Sequence, residues 1–573
     1  MDQNRLFIAI VVSIGILIGF EYLMPARLVH PTVQTPIGAV VAPAASNAKL
    51  SAEAEADAAS AAGPRLAIDG ARVRGSIALV GAKFDDLVLR DYHETVDPKS
   101  AKVRVLDRDG SSQPSYVQFG WLSDNPDVAV PDNKTQWQAS GPSLSQATPI
   151  TLSWDNGQGL IFQIKLALDD NYMFAVTQTV RNNSAKPVVL RPWSRVRRGY
   201  TPAELGSYGG TQGLLGVFNN QLHEMTYKAA KSAAGKANGI AYQTDAPGGW
   251  LGITDKYWLT AVIPDQTSAG TSRFVELNLP SGDGWQADYT ADAGQTVAPG
   301  GTASFASQAF IGAKEVRLLD HYQADNNVPN LDKSLDFGWF YFISKPIFYA
   351  LDWLYGKIGN FGLAIMAFTI GVKVLFFPLA NRSYRSMNKM RLLAPKMQEI
   401  RARCKDDPAQ MQSETMALYR TEKVNPASGC LPMLVQIPVF WALYRDLNTS
   451  IEMRHAPFFG WIHDLSAQDP TNLFNLFGLL HFDPTHYIAL AHLGVWPLIM
   501  GATMYLQQRL NPQVPDPVQA RMMQFMPLIF TFMMGRASAG LVIYWSWNNL
   551  LSLGQQWLIM RQTSIKAPTP QKS

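Results

Sequence analysis

The run GLAIMAFTIGVKVLFFPLA at residues 362–380 is the feature that most limits how this chain folds. Its residues are nearly all apolar, and the run is long enough for an α-helix to cross a bilayer. Lys373 interrupts it, and a lysine at the centre of a membrane helix costs about 2.5–3.5 kcal/mol on insertion scales. The run therefore predicts a membrane helix whose charge requires a local explanation.

Other apolar runs have the composition of membrane helices. The first, LFIAIVVSIGILIGFEYLM at 6–24, is longer than the about 7–15 apolar residues of a signal peptide. It also carries Glu21 and Tyr22 where a cleavage site requires small residues, so we predict an uncleaved anchor over 1–26, with a cleaved signal peptide as the alternative. We predict five further membrane helices, which give six in all, at 361–380, 429–449, 487–509, 517–535 and 540–560.

Composition indicates a soluble part joined to the membrane part. Charged residues make up 16% of the chain, against about 25% in an average soluble protein. The segment 27–64 is rich in Ala, Pro and Ser and predicts a flexible tether. Residues 65–334 carry strand-like runs punctuated by Gly and Pro, such as FAVTQTVRNNSAKPVVL at 174–190. We predict an all-β sandwich for this region.

The segment 335–360 differs from the β region because it is aromatic and amphipathic. This pattern predicts a helix lying in the membrane interface, although a buried helix of a soluble domain has a similar pattern.

The positive charges of the loops predict the orientation of the chain. The segment 381–428 contains ten Lys and Arg residues, whereas the loop 450–486 contains only Arg454. By the positive-inside rule, the first segment is cytoplasmic and the second extracytoplasmic. The basic tail at 561–573 is then cytoplasmic, and six spans place the N-terminus inside and the β domain outside.

The basic segment 381–428 also predicts a helical hairpin. Asp407 and Pro408 form a good N-cap and first position for its second helix, and Asn425-Pro426 ends that helix. Its charges either set only the topology or form a docking arm for ribosomal RNA, lipid headgroups or a targeting factor. The candidate docking residues are Arg385, Lys389, Arg391, Lys396, Arg401 and Arg403.

Polar residues at depth in several predicted spans indicate a hydrated hollow within the helices. Thr369 precedes Lys373 by four residues and shares its helix face, while Gln436, Tyr544 and Asn548 lie within other spans. The alternative is that Lys373 only extends its side chain towards the cytoplasmic interface.

No motif for catalysis or cofactor binding is present. The sequence has no Walker loop, no GxSxG motif and no HExxH motif among its nine histidines. We therefore expect no enzyme activity, no cofactor and no metal site, and the net charge of +4 gives no indication of DNA binding.

Several motifs together resemble the YidC/Oxa/Alb family of membrane protein insertases. They are LDFGWFYFISKPIF from Leu335, KMRLLAPKMQEIRAR from Lys389, MALYRTEKVNPASGCLPMLVQIPVFWALY from Met416, and APFFGWIHDLSAQDP from Ala456. The resemblance is dense over about 335–562, and the anchor, tether and β domain match the layout of Gram-negative members.

The resemblance implies a bacterial inner-membrane protein with a five-helix core, a periplasmic β-supersandwich and a cytoplasmic hairpin. The core would hold a hydrophilic groove open to the cytoplasm and to lipid. The family's groove charge, usually arginine, falls on Lys373, and its polar partner on Thr369. The family's substrate-contacting tyrosine pair falls on Tyr544 and Trp545, so one ring differs.

Partners are also implied by the resemblance. They are nascent membrane proteins, the Sec translocon (SecYEG with its accessory subunits), membrane lipids, and ribosomes with signal-recognition targeting factors. Two other functions stay open from the residues alone. One is a transporter or channel that uses Lys373 as a substrate ligand, and the other is a carbohydrate-binding or carbohydrate-processing β domain.

Overall fold

The computed structural model describes residues 63–203, 211–338, 340–404, 407–422, 424, 431–480, 492–510 and 517–564. The predicted anchor at 1–26, and the predicted tether at 27–64 except its last two residues, lie outside the described residues, as does the tail after Ser564. The described part begins with a β-rich domain and continues into a set of helices.

The strands of the β domain follow one another from Arg65 to Ala313. In chain order they are β1 (Arg65–Asp69), β2 (Val73–Ala78), β3 (Lys83–His93), β4 (Lys102–Leu106), β5 (Ser115–Ser123), β6 (Gln138–Ala139), β7 (Ser143–Leu144), β8 (Ile150–Asp155), β9 (Leu160–Leu168), β10 (Met173–Asn182), β11 (Val188–Arg198), β12 (Gly213–Phe218), β13 (Gln221–Thr226), β14 (Ile240–Pro247), β15 (Trp250–Thr254), β16 (Trp258–Pro264), β17 (Ala269–Leu279), β18 (Gly282–Ala291), β19 (Gln295–Val297) and β20 (Thr302–Ala313).

Within the described residues these strands form two sheets that pack face to face. One has the order β14-β17-β18-β11-β5-β3-β2-β1-β7, with β19 beside β11 and β4 beside β3. The other has the order β13-β12-β15-β16-β20-β10-β9-β8-β6. Aromatic rings join the sheets edge to face, with centroids 5.5 Å apart for Phe84 and Phe174 and 5.1 Å apart for Trp121 and Phe162. This arrangement confirms the predicted β-sandwich.

The region predicted as all-β also contains two helices, one between β13 and β14 and one directly after β20. Helix α1 (Tyr227–Ala234) begins at Thr226, whose side chain accepts a hydrogen bond from the Ala229 amide, and it continues through alanines that favour a helix. Helix α2 (Val316–Asp325) directly follows β20.

The remaining helices follow a 3-10 turn at Leu331–Ser334. They are α3 (Tyr341–Ile358), α4 (Phe361–Leu375), α5 (Phe377–Leu392), α6 (Ala394–Arg403), α7 (Pro408–Thr421), α8 (Leu431–Thr449), α9 (Val495–Leu510), α10 (Pro517–Met534) and α11 (Ala539–Ser564).

The predicted membrane helix over 361–380 is broken near Phe376. Helices α4 and α5 meet there at a bend of 69°, and by length and composition this bent pair is long and apolar enough to cross a membrane. None of the single helices in the described ranges is long and apolar enough by itself. Pro378 provides the physical reason for the break, because its ring clashes with the carbonyl four residues earlier and it lacks an amide donor. Lys373 consequently lies in the last turn of α4, beside the bend, rather than in the middle of a straight span.

Helix α9 begins at Val495, later than the predicted start at 487. Residues 492–494 are not helical, and 487–491 lie outside the described residues. The start is fixed by two capping interactions. The Asp469 carboxylate accepts a hydrogen bond of 2.9 Å from the Trp496 amide, and the Thr471 hydroxyl accepts one of 2.9 Å from the Val495 amide.

Helices α6 and α7 pack antiparallel, with ion pairs at both ends of their contact. Lys396 pairs with Glu422 at 2.7 Å, and Arg403 pairs with Glu414. Between these pairs the Tyr419 hydroxyl lies 3.3 Å from the Met397 sulfur. The sequence pattern placed one continuous helix before Asp407, but the chain turns at Leu393, which separates α5 from α6.

Charged side chains connect the β domain to the helices that follow it. Helix α2 has no capping side chain of its own, because Glu315 makes no capping hydrogen bond. Glu452, in the loop after α8, supplies the cap instead, and its Oε1 accepts a hydrogen bond of 2.8 Å from the Val316 amide. Ion pairs cross the same junction between Lys345 and both Asp320 and Asp332, between Arg317 and Asp352, and between Arg445 and Asp336.

Glu452 makes the stability of this junction dependent on pH. Burial raises the pKa of Glu452 from an ordinary 4.5 to about 8, because the charged form is poorly solvated there. The folded state therefore binds more protons than the unfolded state between these two pKa values. The contribution of Glu452 to stability is fully present below pH 4.5 and is lost as the pH rises towards 8. In this range the free energy of unfolding falls by at most about 1.4 kcal/mol for each pH unit.

A Glu452→Gln variant is expected to lose this dependence and to melt at a higher temperature than the wild type at pH 9, since the amide oxygen can still cap α2. At pH 5 the two proteins are expected to melt at similar temperatures. Thermal unfolding in detergent across this pH range measures the difference. Glu399→Gln, at an exposed position, is the matched control. A difference between Glu452→Gln and wild type that stays constant with pH would contradict the assignment.

Candidate functional site

A cavity of about 550 Å³ lies among helices α4, α5, α8, α9, α10 and α11. All six predicted groove residues line it, although they come from three separate helices: Thr369, Lys373, Gln436, Tyr544, Trp545 and Asn548. Most of the other lining residues are apolar, and four are methionines, Met387, Met504, Met523 and Met526. The cavity therefore combines a polar face with an adaptable apolar wall.

Lys373 carries the charge of this cavity. It is half-buried, and no other charged residue is among the described residues that line the cavity. Its Nζ donates a hydrogen bond of 2.7 Å to the Ser552 hydroxyl of α11. Because no lining carboxylate neutralises it, the ammonium group gives the cavity a positive potential.

Ser552 is a site residue that the sequence analysis did not identify. Its hydroxyl donates a hydrogen bond of 2.8 Å to the Asn548 carbonyl and so presents its oxygen to Lys373. A sequence signal was available, because Tyr544, Asn548 and Ser552 follow one another at four-residue spacing and share one face of α11.

Thr369 occupies the cavity wall without contacting Lys373 through a described hydrogen bond. Its hydroxyl donates to the Ile365 carbonyl of its own helix at 2.6 Å. Thr369 is therefore satisfied locally and is almost fully buried. Its role as the polar partner of the groove charge stays a prediction.

The other groove residues on α8 and α11 form further parts of the cavity wall. Tyr544 is buried and hydrogen-bonded to Gln436, which joins α11 to α8. The Trp545 ring packs edge-on against Phe440 with centroids 4.7 Å apart, and it lies 5.7 Å from Phe530. Tyr544 thus contributes a hydroxyl held by Gln436, whereas Trp545 contributes an aromatic surface.

Further hydrogen bonds hold α11 in the bundle and so fix the polar face. The Trp547 indole donates to the Met366 carbonyl of α4 at 3.2 Å, and the Asn549 amide donates to the Thr503 hydroxyl of α9 at 3.4 Å. These two contacts fix the position of α11 relative to α4 and α9, which also line the cavity.

The candidate docking residues lie on α5 and α6, and none of them is among the described residues that line the cavity. All except Arg401 are exposed, and Arg401 is half-buried. Lys396 and Arg403 form the ion pairs that join α6 to α7, so part of the basic charge is engaged within the hairpin. Their role in docking stays a prediction.

Comparisons with known proteins agree with this architecture. A family model described as 60Kd inner membrane protein matches residues 353–567, and one described as YidC periplasmic domain matches residues 65–350. The chain is 55% identical over 573 residues to a membrane protein insertase YidC of Granulibacter bethesdensis, covering 99% of each chain. It is 53% identical over 512 residues to a membrane protein insertase YidC of Acidiphilium cryptum, covering 88% of this chain and 85% of that one.

A solved structure of an active YidC insertase, with its first transmembrane domain resolved, covers 84% of this chain and 89% of its own at 19% identity, with a TM-score of 0.35. The family matches define the protein as an inner-membrane protein with a periplasmic β-rich domain. The chain belongs to the YidC family of membrane protein insertases. Its function is the insertion of proteins into the membrane, as the resemblance implied.

Proposed function

We propose that the cavity around Lys373 is the groove through which a substrate's hydrophilic segment passes. The observation that carries this proposal is an ammonium group without a carboxylate partner among the described lining residues of a partly polar cavity. A short acidic segment loses less solvation in such a site than in lipid, because polar groups and a positive charge replace part of its hydration.

The apolar helix of the substrate then leaves sideways into lipid. Burial in the bilayer drives this step at about 0.8 kcal/mol per CH₂ group. The methionine-rich side of the cavity supports the proposal, because flexible thioether side chains adapt to helices of different shapes. Lys373 acts by attraction alone, so the chain needs no nucleotide for this step.

The orientation of the chain is part of the same proposal. Six membrane helices place both termini and the α6–α7 hairpin in the cytoplasm and the β domain in the periplasm. The basic hairpin would then meet ribosomes, targeting factors or lipid headgroups at the membrane surface. We also propose that the protein works both alone and beside the Sec translocon, as the family resemblance implies.

Site-specific crosslinking tests whether the substrate uses the cavity. A photoreactive residue is placed at Asn548, and the matched control carries it at Leu550, an exposed position on the same helix. The substrate is a ribosome-bound nascent chain with a short acidic segment before its apolar helix. The acidic segment is expected to crosslink to position 548 and not to position 550. Equal crosslinking of the acidic segment to both positions during productive insertion would contradict the proposal.

A further inference from the structure

The loop between α8 and α9 exposes an unusually apolar segment, residues 473–480, which we call the apolar tip. Its sequence is LFNLFGLL, which contains no charged residue. Five of its large side chains are well exposed, with Leu479 at 79% and Leu476 at 51%, and the other three are Phe474, Phe477 and Leu480. Apolar clusters of this kind on a surface mark a contact with an apolar partner.

The apolar tip is held at the end of α9. The Leu473 amide donates a hydrogen bond of 2.8 Å to the Leu493 carbonyl. Just before the tip, Asp469 and Thr471 cap the first turn of α9 through the contacts described above. The tip therefore lies level with the end of a proposed membrane helix, on the side of the β domain.

A second exposed aromatic turn lies close to the same end of the bundle. Phe459 and Trp461 are exposed there, while Phe458 between α8 and the tip packs against Trp496 of α9 with ring centroids 6.0 Å apart. Aromatic side chains, tryptophan above all, are enriched at membrane–water interfaces. The two features indicate the same partner.

The backbone of the apolar tip is suited to a medium of low polarity. The Phe474 amide donates to the Asn472 side chain, the Phe477 amide to the Asn472 carbonyl, and the Leu480 amide to the Asn475 carbonyl. These internal bonds reduce the penalty for moving the segment out of water. Leu476 and Phe477 both adopt left-handed backbone conformations, with φ of 53° and 58°, which bulky residues rarely adopt.

We propose that the apolar tip inserts into the outer leaflet of the membrane and anchors the α8–α9 loop beside α9. The partner is lipid at the depth of the headgroups and upper acyl chains. Lipid is favoured because the tip continues the surface of a proposed membrane helix, lacks charge, and satisfies several of its own amides. The inference rests on the proposed topology, in which α9 crosses the membrane.

Fluorescence in lipid nanodiscs tests the proposal. In a background of Cys404→Ser and Cys430→Ser, the environment-sensitive dye NBD is attached at Leu479→Cys, with one protein copy in each disc. Ile499→Cys on α9 reports whether that helix lies in the membrane. Ala185→Cys is the aqueous reference, because it lies in the β10–β11 turn, at the end of the sheet opposite α2.

Dye at position 479 is expected to emit at shorter wavelength than dye at 185 and to lose intensity with lipids spin-labelled near the headgroup. Aqueous iodide is expected to quench position 185 and to spare position 479. If 479 behaves like 185 while 499 is quenched by spin-labelled lipids, the tip proposal fails and the proposed topology stands. If 499 also escapes quenching by every spin-labelled lipid, both fail. If the dye at 479 shifts to shorter wavelength only in discs that hold two protein copies, the partner of the apolar tip is a second copy of this chain and not lipid, and the proposal fails.

A double variant separates the apolar side chains from the shape of the loop. Leu476→Asn with Phe477→Asn keeps residues that tolerate left-handed backbone conformations but removes two apolar groups. Dye at 479 is expected to move towards the aqueous signal in this variant. Unchanged quenching by the shallow label would show that the apolar side chains do not hold the tip in lipid, and would overturn the proposal.

Discussion

A chain in which leucine replaces Lys373 is expected to insert substrates with acidic translocated segments roughly ten- to a hundredfold more slowly than the wild type. The range follows from the loss of a charge-assisted interaction worth about 1.5–3 kcal/mol, at a tenfold change for each 1.4 kcal/mol. Insertion into liposomes, measured by protection of the translocated segment from protease, gives the rate directly.

The loss is not expected to come from unfolding. Removing the charge makes helix α4 more compatible with lipid, and Ser552 keeps its hydrogen bond to the Asn548 carbonyl. Thermal unfolding of Lys373→Leu in detergent should therefore match that of the wild type. Lys373→Arg preserves the charge and is expected to retain insertion, while its planar guanidinium adds donors.

Two controls identify what the charge does. Ser552→Ala removes the hydrogen-bond partner of Lys373 without removing the charge. The rate of insertion of the acidic substrate is therefore expected to decrease less than in Lys373→Leu. A substrate without acidic residues in its translocated segment should be inserted equally by Lys373→Leu and the wild type. If Lys373→Leu and the wild type also insert the acidic substrate at equal rates, the charge of Lys373 takes no part in insertion. The alternative raised by the sequence, that Lys373 only extends its side chain towards the membrane interface, would then hold.

The sequence was informative wherever local patterns determine structure. The run at 174–190 predicted two strands around an Asn-Asn-Ser turn, and β10 and β11 lie there on either side of that turn. These two strands do not pair with each other, because β10 pairs with β9 and β20 in one sheet and β11 with β5 and β18 in the other. Asp407 and Pro408 predicted the start of α7, where the Asp407 side chain accepts hydrogen bonds from the Ala409 and Gln410 amides. These features depend on neighbours within a few residues, so a pattern along the chain contains them.

Contacts between distant parts of the chain could not be derived in this way. Ser552 meets Lys373 across 179 residues, and Glu452 caps α2 across 136 residues. Neither pairing leaves a periodic signal, because each depends on how the helices and the β domain pack. The bend at Phe376 lies between these cases, since Pro378 favours a break in the helix but does not fix the angle of the bend.

Arg445→Met is expected to destabilise the junction between the β domain and α8 strongly, and more than Arg445→Lys does. The Arg445 side chain is mostly buried, pairs with the Asp336 carboxylate and donates from Nε to the Asp336 carbonyl at 3.0 Å. Burial alone would raise the pKa of Asp336, but the charge and hydrogen bond of Arg445 hold it below its ordinary value.

Without the guanidinium, Asp336 becomes a poorly solvated carboxylate near Glu224. Burial and the charge of Asp336 already raise the pKa of Glu224 to about 7. Breaking a buried ion pair by removing one partner costs about 2–5 kcal/mol, mostly because the remaining charge is uncompensated. Arg445→Met is therefore expected to lower the free energy of unfolding by about that amount, measured by thermal or denaturant unfolding in detergent.

A double variant separates the stranded charge from lost packing. Arg445→Met with Asp336→Asn removes both charges, so most of the stability lost in Arg445→Met should return. The Asn oxygen can still accept from the Gly338 amide, and the Thr211 hydroxyl, which donates to the second Asp336 oxygen in the wild type, can accept from the Asn amide group instead. Arg445→Lys keeps a charge but loses the donation from Nε, and it should melt between the wild type and Arg445→Met. If the double variant is as unstable as Arg445→Met, packing of the arginine stem, rather than its charge, holds the β domain to α8.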